Sequence, residues 1–180
     1  MSGQNKQKGV DAMELLDIPS EDTRREAFTD AVLQHSKAMF LCARSVLDSD
    51  ADAEDAVGEA VLLAWSGYGK LRRPNAVKPW LLKITLNCAR QARRREGKIL
   101  YTDDLTAYDR GQNDQPPDGS LWQAVCALPP EQRTAVTLFY YEDMGVKDIA
   151  RVLRLPEGTV KSRLNRARKR LRELLEEDRT

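Results

Sequence analysis

The 180 residues carry a formal net charge of +1, with 41% apolar, 32% charged and only 6% aromatic side chains. That balance fits one medium globular domain or two small ones, and the lack of alternating β-branched runs favours helices over sheets. The longest apolar run, Ala60 to Trp65, is far too short to cross a bilayer and the N-terminal lysines precede no apolar segment, so neither membrane insertion nor secretion is expected and the chain reads as cytoplasmic.

In chain order, residues 1–19 are polar and aperiodic, and read as a disordered tail. Ser20 followed by Glu21 and Asp22 reads as an N-cap with acids in the first turn, where the helix dipole favours them. Phe28, Val32, Met39, Ala43 and Val46 then recur at helical spacing. A second helix is expected over "AEDAVGEAVLLAW". "SGYGKLRRPNAVKP" interrupts it, because proline cannot sit in a helix interior. A third helix is expected from about Trp80 to Arg95. Residues 20–96 thus form one helical domain. Residues 97–120 are rich in Asp, Gly, Pro and Asn and read as a flexible acidic linker. A second helical domain runs over 121–177, so the expected fold is all-α, two small domains on a tether.

The near-zero net charge conceals segregation. Asp48 to Glu59 holds six acids and no base, Arg90 to Lys98 five bases and one acid, and Ile99 to Ser120 five aspartates against Arg110 alone. The densest block is C-terminal, with seven Lys or Arg in the twelve residues from Lys161 to Arg172. Before it, Ile149, Ala150 and Leu153 give a short helix one apolar face, and Pro156 ends that helix by disfavouring α geometry at Leu155. Val160, Leu164, Ala167 and Leu171 recur at spacings of four, three and four, making the buried stripe of the next helix. Two helices, a tight turn and polar residues on the second describe a helix-turn-helix. In that geometry Ser162, Asn165 and Arg166 can reach base edges, while Lys161, Arg163, Arg168 and Lys169 suit phosphates. Arg154, in the turn, stands where glycine is the easier residue if φ is positive, a cost of about 1 kcal/mol.

Chemistry of other kinds finds no support. Cys42, Cys88 and Cys126 lie far apart without a CxxC pair, so no disulfide framework or zinc site is expected and each reads as a small buried apolar residue. The lone histidine, His35, has no accompanying nucleophile or carboxylate cluster, and no phosphate loop or metal-ligand spacing occurs. No cofactor, no metal and no catalytic residue are expected.

"LPPEQRTAVTLFYYEDMGVKDIARVLRLPEGTVKSRLNRARKRL" resembles the fourth conserved region of the extracytoplasmic-function (ECF, group IV) sigma factors, most specifically in "DIA" and "GTVKSRLNRAR". "DAEDAVGEAVLLAW" and "KPWLLKITLNCARQARRR" resemble the second region of that family, and the likeness covers about residues 24–96 and 121–176. It implies a protein that is not itself an enzyme: a stress- or signal-responsive factor, monomeric when free, that binds core RNA polymerase and promoter DNA and is held by an anti-sigma factor. The C-terminal helix-turn-helix would read the minus-35 element and the N-terminal domain would melt and read the minus-10 element. Asn87, beside the family's base-capturing position, would meet a flipped minus-10 base, with Arg90, Arg93, Arg94 and Arg95 along the single strand. Glu54, Asp55, Glu59 and Leu62 fall on the polymerase-binding helix; Gly58 departs from the family's usual Gln and costs that helix about 1 kcal/mol relative to Ala.

The tether sets a length condition. The element names imply about 25 base pairs between centres, roughly 85 Å. A linker of about 24 residues reaches at most ~80 Å and relaxes to ~27 Å as a free coil. Something must therefore hold it extended. A stand-alone helix-turn-helix regulator is the competing reading, but it would normally dimerise on a palindrome, and no dimerisation helix or sensing motif is seen.

Overall fold

A computed structural model describes residues 20–71, 76–99 and 119–177. The expected N-terminal tail and most of the expected linker lie outside these residues. Every regular element among them is helical.

Helix α1 (Glu21–Arg44) starts as its sequence dictates: the Ser20 hydroxyl accepts the Thr23 N–H at 3.2 Å, with Glu21 and Asp22 in the first turn. Helix α2 (Asp50–Tyr68) repeats the device, Ser49 accepting from the Asp52 N–H. Its buried face is almost all alanine, namely Ala53, Ala56, Ala60 and Ala64. Small side chains at spacings of three and four let α1 and α3 approach closely. Helix α3 (Val77–Ile99) contributes Leu81, Leu82, Leu86 and Ala89, and Met39, Cys42 and Ala43 of α1 complete the core. At one end Phe28 packs on Trp65 and Tyr68, with ring centroids 5.2 and 5.1 Å apart. Gly67 lets Trp80 lie against α2, since a Cβ there would meet the indole at 3.1 Å.

Two expectations need correction here. The third helix begins three residues early, so Pro79 lies inside it, and it continues past Arg95 to Ile99. Pro79 is the third helical residue, where the missing N–H would have had no intrahelical partner anyway. The rule excluding proline from helix interiors does not reach the first turn.

The C-terminal unit comprises α4 (Gly119–Cys126), α5 (Pro130–Val136), a π-helical turn (Thr137–Tyr141), α6 (Val146–Leu153) and α7 (Glu157–Glu177). The π turn, which sequence periodicity does not announce, closes with the Glu142 N–H donating to the Thr137 carbonyl at 3.2 Å. Between α6 and α7, Arg154 adopts φ 55° and ψ 49°, and the Leu155 N–H returns to the Ala150 carbonyl at 3.0 Å. That is a left-handed helix termination made without glycine. Val160, Leu164 and Ala167 are buried as their spacing requires, with Leu171 partly so.

The two units do not stand apart. The C-terminal end of α1 meets α5 and the π turn, and α3 meets α6. The buried Arg133 donates to Asp48 at 2.9 Å and to the backbone carbonyls of Arg44 and Leu128. The Ser45 and Thr134 hydroxyls are 3.0 Å apart. Lys78 pairs with the carboxylate of Glu142 at 2.9 Å and also donates to its carbonyl. The Glu142 side chain is only 6% exposed, so the pair holds a carboxylate that the fold largely withdraws from water. Hydrogen bonds and ion pairs between residues up to 89 positions apart join the two helical units.

Candidate nucleic-acid and polymerase interfaces

Helix α7 is fixed from below by its buried stripe, which turns Lys161, Ser162, Asn165, Arg166, Arg168 and Lys169 outward, all exposed. Neighbouring side chains order this surface. Arg166 donates from Nη2 to the Ser162 hydroxyl at 3.2 Å. Arg168 donates from Nε to the Tyr140 hydroxyl at 2.7 Å and from Nη1 to Oδ1 of Asn165 at 3.0 Å. Tyr140, half exposed at the end of the π turn, was not singled out from the sequence. Its only signal was the aromatic run Phe139, Tyr140, Tyr141, in which Tyr141 faces inward onto Trp122. Tyr140 is left at the base of α7.

Arg163 does not share the outward face. It is half-buried and lines a cavity of about 540 Å³ between the two units, together with Arg90, Arg93 and Arg94 of α3 and Glu131 of α5. Arg93 donates to the Val46 carbonyl at 3.0 Å, whereas Arg90, Arg94 and Arg163 have no ion pair among the described residues. Burial lowers the pKa of Arg90, and Arg163 and Arg94 push it the same way. The guanidinium remains charged, so like charges face one another across the cleft at a cost.

On α3, Asn87, Arg90 and Arg94 recur at spacings of three and four, with Asn87, Arg93, Arg94 and Arg95 exposed and Arg90 half-buried. The Asn87 side chain faces solvent. On α2, Glu54 and Asp55 are exposed, Glu59 is half-buried and Leu62 is 76% exposed. Asp55, Glu59 and Leu62 form one stripe at spacings of four and three, an apolar group set in an acidic face. A Cβ on Gly58 would meet nothing within 4 Å, so no neighbour among the described residues requires the glycine.

Burial pushes the Cys42 thiol far above its ordinary range, with Glu142 acting in the same sense and Arg90 against it. Burial also raises Cys88 and Cys126. His35 is lowered, first by burial and then by Lys78, with Glu142 opposing. Among the described residues no group of three or more His, Cys, Asp or Glu could hold a metal, and no helix is long and apolar enough to cross a membrane.

Residues 31–99 match the family model of sigma-70 region 2, and residues 118–171 that of sigma-70 region 4. The RNA polymerase sigma factor SigV of Bacillus subtilis is 30% identical over 164 residues, 89% of this chain and 99% of the relative. The ECF RNA polymerase sigma factor SigM of Mycobacterium tuberculosis is 35% identical over 154 residues, 84% of this chain and 78% of the relative. Among solved structures, the sigma factor RpoE in complex with the anti-sigma factor NepR from Bartonella quintana superimposes with a TM-score of 0.68 at 27% identity, covering 84% of this chain and 98% of that one. CnrH in complex with the cytosolic domain of CnrY gives a TM-score of 0.62 at 26% identity, covering 86% and 90%. With a helix-turn-helix on one unit, an acidic stripe bearing an exposed leucine on the other, and relatives matched over 78% and 99% of their length, the chain belongs to the ECF RNA polymerase sigma factors.

Proposed function

We propose that α7 reads the minus-35 element in the major groove through Ser162, Asn165 and Arg166, with Lys161, Arg168 and Lys169 nearest the phosphates. Asn87 and the exposed arginines of α3 serve the melted minus-10 strand, and the stripe Asp55, Glu59 and Leu62, with Glu54 beside it, docks core polymerase. Arg163 fits this scheme least, because it faces the cleft rather than the groove-reading side. Catalysis belongs to the polymerase, and work on promoter DNA places the protein in the cytoplasm.

The observation that carries this reading furthest is the shared cavity: side chains of α3 and α7, the two proposed promoter-reading helices, line the same ~540 Å³ space. Elements roughly 85 Å apart cannot both be read while those helices line one cavity. The closed chain is therefore a resting form, and polymerase binding extends it. Relatives that superimpose over most of the chain carry an anti-sigma factor or a cytosolic partner domain, which supports an anti-sigma factor that captures the closed form. Run-off transcription with core polymerase on a promoter library tests the whole. Promoter-specific transcripts that depend on added chain are expected; their absence, with no co-migration of chain and polymerase, overturns it.

A further inference from the structure

We infer that Tyr140, acting through Arg168, fixes the amide of Asn165 as a hydrogen-bond donor toward DNA and so biases the contacted position toward guanine over adenine. The inference rests on the proposed seating of α7 in the major groove.

The chain of contacts is short. The Tyr140 hydroxyl accepts from Nε of Arg168 at 2.7 Å, and Nη1 of the same guanidinium donates to Oδ1 of Asn165 at 3.0 Å. A guanidinium has only donors, so the amide atom facing it must be the oxygen. Arg168 lies one turn C-terminal to Asn165, which turns that oxygen along the helix and leaves the NH₂ group facing outward. Aromatic edges hold the relay in place: Phe139 and Tyr140 pack edge to face with centroids 4.9 Å apart, and the Arg168 guanidinium lies 5.9 Å from each ring.

Guanine offers two acceptors in the major groove, N7 and O6. Adenine offers one acceptor and one donor, and an asparagine reads it best by using its oxygen and its nitrogen together. With the oxygen held by Arg168, the adenine pairing loses one of its two bonds, whereas the donor group still serves guanine or the O4 of thymine. Arg168 is in this respect a positioning residue, and its free N–H groups remain available to a phosphate.

Tyr140→Phe keeps the half-exposed ring and removes only the hydroxyl, so the fold is undisturbed. The experiment measures base preference with the full chain and core polymerase on promoters randomised through the minus-35 element. Asn165→Ala first identifies the position that Asn165 contacts, as the one whose preference collapses. At that position Tyr140→Phe is expected to lower the guanine-to-adenine ratio by about fivefold or more, the low end of what one bidentate contact discriminates. Preference elsewhere in the element should be unchanged. Arg168→Lys, which cannot bridge both partners with a planar fork, should shift the same ratio in the same direction. If Asn165→Ala alters one position but neither other variant changes the ratio there, the relay is overturned while the groove reading stands. If Asn165→Ala leaves preference intact throughout, the groove reading of Asn165 fails and the relay with it.

Discussion

Arg154 shows how one residue's cost becomes a measurable quantity. Its left-handed backbone, φ 55° and ψ 49°, closes the turn between α6 and α7, and its side chain is exposed without a hydrogen bond or ion pair among the described residues. Arg154→Gly relieves the Cβ clash at little loss of contact, so the chain should gain about 1 kcal/mol, partly offset by the freer unfolded chain. Thermal unfolding should show a midpoint raised by a few degrees, and a lowered midpoint would mean that Arg154 makes an interaction of greater value. Asn87 makes the opposite case, a polar residue that costs the fold nothing because its amide is in solvent. Asn87→Ala should leave stability and minus-35 binding unchanged but impair strand opening, seen as loss of permanganate reactivity at minus-10 thymines. Normal reactivity would remove Asn87 from the melting surface.

At the level of the helices, α2 and α7 each present a face that the fold leaves unused. Gly58 sits on the exposed side of α2 with open space around it. Gly58→Ala should stabilise the helix by about 1 kcal/mol. Polymerase affinity separates two accounts of the glycine: unchanged affinity makes it a tolerated weakness, while a fall shows that the polymerase approaches the backbone there. On α7, Arg166→Ala should cost about 1–3 kcal/mol at the minus-35 element and change its preference. Lys169→Ala should weaken binding to all sequences alike and reduce the salt slope by about one. A loss of preference from Lys169→Ala would instead place that lysine at a base edge. Helices were legible in the sequence because capping and periodicity are local: Ser20 and the stripe Val160, Leu164, Ala167 each specify their element from within it. The early start of α3 and the π turn were not. Pro79 masks a helix whose first turn tolerates it, and a single inserted residue alters no composition.

For the molecule as a whole, the closed arrangement sets attraction against repulsion. Asp48 is 78% exposed, so its pairing with Arg133 adds little. The buried Glu142 with Lys78 and the contact between Ser45 and Thr134 hold the units more firmly, while the arginines lining the cleft push them apart. Such a balance suits a chain that a partner must open. Replacing Ser45→Cys and Thr134→Cys together, in a chain carrying Cys126→Ser, places two thiols where the hydroxyls are 3.0 Å apart, a separation from which a disulfide can close. The oxidised form is expected to lose promoter-dependent transcription with core polymerase and to regain it on reduction. Equal activity in both forms would show that opening between the two units is not needed.

By itself the sequence determined the helical class, the Ser20 cap, the buried stripe of α7 and the segregation of charge, because each follows from residues within a turn or two of one another. Family resemblance added the expected jobs of those faces. Only the tertiary structure decided that Ser45 meets Thr134, that Lys78 meets Glu142, that Arg163 turns toward Arg90 instead of outward, and that Tyr140 reaches Arg168. None of these residues carries a local signal of its partner, and pairing across tens of positions is chosen by the packing of whole helices.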